Sequence, residues 1–259
     1  MLQPCGSVSS FLRLPCLVLL LLGAIPVVAE TDSRDTKVRS RAEFSSLRRE
    51  QLAEKLRKIT GWSDLKFDPN GILKLGRSTP VGGSATARSL LNTSISNPSV
   101  FMLEDASNRK DVVFCQVGLE IWRSDLSHTA VHVIQIDFAD FANLMGDQAA
   151  LKAFDVGWGF LHEFNHIISA AGDSKSLGKV GDCESLINQM RLELGLPERS
   201  DYLFTDLPLR QNSAFTTRFV RLPFDQKDAV SGRKRRYWLT WDATVVGGLQ
   251  SEKQIASLK

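Results

Sequence analysis

Two periods of apolar and polar alternation run through the chain, and the switch between them divides it. Over 42–60 (AEFSSLRREQLAEKLRKIT) apolar residues recur at helical spacing, with Phe44, Leu47, Leu52 and Leu56 marking one face of a basic helix. A hairpin is predicted across 61–82 around the turn DPNG at 68–71. SATARSLLNTSIS (84–96) reads as a short helix and SVFMLEDAS (99–107) as a strand. Period-two alternation dominates DVVFCQVGLEIW (111–122) and AVHVIQIDFADF (130–141). After Phe141 the pattern becomes helical, from about Gln148 to Ala171. A Gly/Ser/Lys/Asp loop at 172–181 leads to a second helix at about 182–194, stopped by Gly195 with Pro197 behind it. Residues 200–259 read as mostly irregular, with one hairpin around SGRKRR (231–236). Mixed strands, then two helices, then a tail predict one α+β domain over 42–259.

Composition adds a boundary at the start. Of 259 residues, 43% are hydrophobic and 24% charged, which is globular composition. A net charge of +3 is too mild to imply a nucleic-acid partner. Arg13 is the lone charge before Glu30, and the apolar run LPCLVLLLLGAIPVVA (14–29) follows it. The run is short for a bilayer span of roughly 20 residues. It reads as a secretory signal, residues 1–29, cut after Ala29, which predicts a secreted or periplasmic protein without stable membrane association. Residues 30–41 are polar and read as a flexible leader. Removing the signal leaves Cys115 and Cys183, either a disulfide or two buried thiols.

The candidate chemistry lies in GFLHEFNHIIS (159–169). His162 and His166 are one turn apart on a helix, separated by about 40° around its axis. Their imidazoles can reach one metal ion. Glu163 lies about 100° away, on the flank, where it can reach a water on that ion. Phe160, Leu161, Phe164, Ile167 and Ile168 cluster on the opposite side, while Gly159, Ser169 and Ala170 neighbour the histidines. The helix thus has a core face and a histidine face lined by small side chains. Trp158 falls near the latter.

Catalytic zinc takes three protein ligands and leaves a position for water. Glu184, in the first turn of the helix within 181–197, is the predicted third ligand, and Asp182 the alternative. Asn188 and Arg191 share the face of Glu184, so Asn188 is placed to hydrogen-bond a ligand. His128 and His132 are also four apart, but in strand-like sequence, and read as structural.

HEFNH, then 17 residues, then Glu184 with Asn188 four further on, resembles the zincin metallopeptidases in their gluzincin, or thermolysin-like, arrangement. Residues 181–199 also resemble secreted bacterial proteins that carry a zincin core. The resemblance covers about 155–199 and the strand at 130–138, a metal core of about 130–199. Asn188 departs from it, because an acid usually stands there. The resemblance implies a zincin-like fold: a mixed or antiparallel sheet, an active-site helix, and a second ligand-bearing helix. It implies Zn2+ held by His162, His166 and Glu184, with Glu163 as general base in the hydrolysis of peptide or protein substrates. Tyr202 is the candidate oxyanion donor. A secreted binding or structural domain that keeps such a metal core without turnover is the other reading.

Overall fold

The computed structural model describes residues 35–124, 127–208, 216–228 and 230–247. The predicted signal and residues 30–34 lie outside these.

The first sheet has six strands in the order β2-β3-β1-β4-β6-β5. They are β1 (Asp35–Ser40), β2 (Lys66–Phe67), β3 (Ile72–Lys74), β4 (Val100–Asp105), β5 (Cys115–Ser124) and β6 (Ser127–Ile136). β1, β4 and β6 run parallel, while β3 and β5 pair antiparallel to β1 and β6. The parallel pairing of β1 with β4 is reached through a long connection bearing α1 (Ser46–Thr60) and α2 (Ala85–Ser96). Serines cap both helices: Ser45 accepts from Arg48 N, and Ser84 from Ala87 N.

Part of the expected flexible leader is therefore a strand within the sheet. Thr36 and Val38 of β1 are buried, a period-two pattern masked by Asp35, Lys37 and Arg39 between them. Of the expected face, Phe44, Leu52 and Leu56 are buried and Leu47 is exposed; Ala53 and Ile59 complete the inner face of α1.

The sequence expected as one helix over about 148–171 is two, α4 (Gln148–Ala153) and α5 (Val156–Ser169). Asp155 ends the continuity. Its carboxylate accepts from Gly157 N and Trp158 N and so starts α5 afresh. The end of the expected strand at 130–141 is α3 (Phe138–Ala142), capped by Asp137. The second helix, α6, spans Gly181–Glu193 as expected.

The tail is more ordered than the sequence suggests. β7 (Met145–Gly146), β8 (Glu198–Arg199), β9 (Thr205–Pro208), β10 (Thr216–Lys227) and β11 (Lys234–Asp242) build a second sheet, with β10 paired to β8, β9 and β11. The hairpin β10–β11 keeps one register from Phe219↔Asp242 to Lys227↔Lys234.

Each sheet has its own apolar cluster. Phe101 and Leu103 of β4, and Ile134 and Ile136 of β6, meet Phe160, Leu161 and Phe164 of α5. The Phe101 and Phe164 rings lie 4.7 Å apart. Burying each such side chain stabilises by roughly 1.5–3 kcal/mol, which fixes the core face of α5 and so aims its other face. The second cluster joins Phe154 and Phe204 to Val220, Leu222, Phe224, Leu239 and Trp241. Gly159 lets α5 approach β5: a Cβ there would stand 2.9 Å from Cys115 Sγ and 2.7 Å from the Phe141 ring.

Phe114, ahead of β5, takes a left-handed φ of 56° and is held by Asp140, whose carboxylate accepts its N–H. Burial pushes the Asp140 carboxyl up to about 6, and the neighbouring Asp137 adds to this. The folded chain thus holds that proton more tightly than the unfolded chain. This contribution favours folding below about pH 4 and is lost as the pH rises through 6. Asp140→Asn should flatten the pH dependence of unfolding free energy between pH 4 and 6, by on the order of 2–3 kcal/mol. Urea melts of both proteins across that range measure it, and unchanged slopes would refute the assignment.

Candidate metal centre

α5 aims its two histidines at one point. Their Nε2 atoms lie 3.1 Å apart, with the rings at 88°. Asp173, in the loop after α5, faces both. Oδ1 is 3.2 Å from His162 Nε2, and Oδ2 is 3.1 Å from His166 Nε2. A tetrahedral ion with bonds of about 2.0–2.1 Å has ligand–ligand edges of about 3.3 Å. The Nε2–Nε2 spacing is close to that figure, and each Nε2 faces a different oxygen of the Asp173 carboxylate.

The protons on the histidines follow from their other nitrogens. His166 Nδ1 lies 2.6 Å from the Ala171 carbonyl, which can only accept. His162 Nδ1 lies 3.0 Å from Glu184 Oε2. Both Nδ1 atoms therefore carry hydrogen, and both Nε2 atoms are turned toward the Asp173 carboxylate. Oδ1 of Asp173 is buried and accepts no hydrogen bond. Protons on the two Nε2 atoms neutralise the carboxylate here, and a metal cation would take their place. Zn2+ suits a set of two imidazoles and a carboxylate.

The titration behaviour expresses the same attraction for positive charge. Burial opposes charge on His162, yet Asp173, Cys183 and Glu184 push its pKa up. Asp173, then Cys183, raise His166 to about 10. The Asp173 carboxyl is held well below the usual range by the two histidines, against its burial.

The loop 170–181 sets Asp173 in place. α5 ends at Ala170 in the left-handed conformation, and Asp173 forms a bridge with Gly181. Gly181 has φ 80°, and a Cβ there would come within 2.5 Å of Ser174 N. Cys183 N donates to the Gly172 carbonyl, closing the loop at the start of α6.

Glu184, the expected third ligand, is not one of the converging groups. It stands behind His162, on the Nδ1 side. Its other oxygen, Oε1, pairs with the Arg191 guanidinium, and Arg199 lies 3.3 Å from Oε2. Burial opposes ionisation of Glu184, but Arg191 and Arg199 hold its carboxyl well below the usual range. Asp182 does not join the group either. Asn188 touches neither imidazole. Its Oδ1 accepts from Arg191 and from Arg199 N, and its Nδ2 donates to the Arg199 carbonyl. The shared face of Glu184, Asn188 and Arg191 is present, but it builds a buried ion-pair network, not a ligand.

Cys183 completes a group with His162, His166 and Asp173 whose ligand atoms all lie within 4.8 Å of one another. Its thiol is 3.7 Å from His162 Nδ1, donates to the His162 carbonyl and accepts from Asn165. Cys115 and Cys183 are both free thiols, so the two do not pair.

Glu163 makes no hydrogen bond or salt bridge among the described residues. Burial pushes its carboxyl up to about 7, against the pull of His162 and His166. It lines a cavity of about 170 Å³ together with His162, Tyr202 and Trp158. Tyr202 stacks on His162 at 5.9 Å. Trp158, expected near the histidine face, is buried and donates to the Lys152 carbonyl. His132 stacks on Phe101 within the first sheet, away from the centre.

No protein-family model matches the chain, and no curated protein or solved structure matches it. The resemblance to zincins therefore rests on the site residues themselves.

These contacts separate the roles of two acids. Asp173→Ala should abolish retention of one zinc per chain, while Glu184→Gln should keep the stoichiometry and weaken affinity about 10- to 100-fold. Competition titration against a chromogenic chelator reads both. The opposite ranking would return Glu184 to the ligand set.

Proposed function

We propose that the protein is an exported zinc-dependent hydrolase that cleaves peptide bonds, with His162, His166 and Asp173 holding the ion and Glu163 as general base. The observation that carries this reading is the position of Glu163. It is an uncommitted carboxylate on the flank of the histidine pair, in the same cavity as His162. Glu184, the other carboxylate of that cavity, is neutralised by Arg191 and Arg199. Glu163 is thus free to take a proton from water and return it to a leaving amine. Bound zinc would supply Lewis acidity toward the water and the substrate carbonyl.

Tyr202 supports the same reading. Its ring lies on His162 and it lines the cavity that holds Glu163, so it can offer its O–H to a developing oxyanion. The apolar run at 14–29 supports export. Among the described residues no helix is long and apolar enough to cross a membrane.

Cys183 favours the second reading, a secreted binding domain with a metal core and no turnover. A fourth protein ligand would close the site, as in structural zinc centres. The two readings diverge on one variant. For the hydrolase, Glu163→Gln binds one zinc per chain and cleaves a peptide library roughly 10²- to 10⁴-fold more slowly than wild type. Mass spectrometry of the products and metal analysis give both values. Zinc-loaded wild type that leaves the library intact, or a variant as fast as wild type, would contradict the hydrolase.

A further inference from the structure

The positive charge of the chain is concentrated in a stretch that the metal centre does not use. Residues 226–236 (QKDAVSGRKRR) hold five cations and one acid, a net +4, whereas the whole chain carries +3. They form the end of the β10–β11 hairpin. β8 pairs with β10 at Phe224 and Asp225, and β7 meets β11 at Leu239 and Thr240. Beyond the Asp225↔Arg236 pair the hairpin is therefore a two-stranded arm among the described residues. From Lys227 to Arg236 every described residue is exposed. The arm buries no core side chain, and a lone two-stranded ribbon is marginally stable at best.

The turn at its end is fixed by its own acid. The Asp228 carboxylate accepts from Val230 N, Ser231 N and the Ser231 hydroxyl. Gly232, at φ 68°, donates its N–H to the Asp228 carbonyl. This turn leaves Val230 98% exposed, the most exposed of the large hydrophobic residues described. Cations flank it on both faces of the ribbon. Lys227 stands directly opposite Lys234, and Gln226 opposite Arg235. Successive residues of a strand point to opposite faces, so Arg235 faces away from Lys234 and Arg236. Lys234 and Arg236 bond Asp225, while Lys227, Arg233 and Arg235 enter no salt bridge among the described residues. Like charges directly opposite one another weaken a ladder, and Lys227 and Lys234 are such a pair. Nearer the body of the sheet, Arg221 and Arg236 lie over the Trp238 ring at 4.1 and 5.6 Å.

An exposed apolar side chain with cations on both sides and a tryptophan behind them fits the surface of an anionic bilayer. Headgroup charges meet the cations, and the apolar group enters below them. A soluble polyanion would use cations on one face of the ribbon and gain nothing from Val230. We propose that the end of the β10–β11 hairpin docks reversibly on an anionic lipid surface. Val230 sits among the headgroups, and Lys227, Arg233, Lys234 and Arg235 meet their phosphates. This docking is independent of the hydrolase reading.

Co-sedimentation with vesicles tests it. The protein used is the chain from Glu30, because the apolar run 14–29 would itself enter lipid; it keeps the compact unit Arg34–Lys259. Vesicles of mixed phosphatidylglycerol and phosphatidylcholine should bind it, vesicles of phosphatidylcholine alone should not, and high salt should release it. Lys227→Gln, Arg233→Gln and Arg235→Gln together should weaken binding on the order of 100-fold, at roughly fivefold per cation. Val230→Ser should weaken it roughly tenfold with an unchanged thermal melt. Equal binding to the two kinds of vesicle, or either variant binding as tightly as wild type, would overturn the proposal. So would binding to dextran sulfate with none to vesicles, which would make the arm a polymer site. If the triple variant does not fold, wild type on the two kinds of vesicle and Val230→Ser decide.

Discussion

Glu184 and Arg191 are each 1% exposed, and they face one another between the two apolar clusters. Two charges cannot be buried there separately. Breaking such a pair by removing one member costs about 3–5 kcal/mol. The pair is also tied to everything around it. Arg191 donates to the Ala153 carbonyl at the end of α4 and lies over the rings of Trp158 and Phe224. Glu184 accepts from His162 on α5. One ion pair thereby connects α4, α5, α6 and the second sheet, and sets the hydrogen on His162 to Nδ1.

That proton position turns Nε2 of His162 toward the group of side chains that could hold a metal ion. With Nδ1 held by Glu184, Nε2 is the nitrogen turned toward Asp173. The Ala171 carbonyl does the same for His166 at lower electrostatic cost. The acids divide by burial and partner. Glu184 is neutralised by arginines and orients, Asp173 faces the imidazoles and converges with them, and Glu163 faces the cavity without a hydrogen-bond partner. Three carboxylates within one small region take three roles because their neighbours differ.

The sequence showed the histidine face of α5 because helical spacing is a local property, and the small residues beside the histidines are visible in one dimension. The start of α6 and the hairpin at 68–71 were readable for the same reason. Asp173 was not. Its place depends on a left-handed Ala170 and on the glycine at 181 folding the loop back, and no periodicity announces either. The signal that was there is weak: the first acid after the helix, directly following Gly172. Glu184 attracted the ligand assignment because it does sit near His162, but whether it touches Nδ1 or Nε2 is a matter of how α6 packs. β1 was hidden by its outward charges. The second sheet was hidden because its short strands β7, β8 and β9 come from separate stretches of chain and are strands by virtue of pairing with β10 and β11.

The central claim is that Nε2 of His162, Nε2 of His166 and the Asp173 carboxylate converge on one ion while Glu184 stays behind His162. Diffraction from zinc-loaded crystals, recorded just above and just below the zinc absorption edge, tests it most directly. The account predicts one anomalous peak per chain, about 2.0–2.2 Å from each of those three groups. A peak coordinated by Glu184 in place of Asp173, or no peak between the histidines, would contradict it.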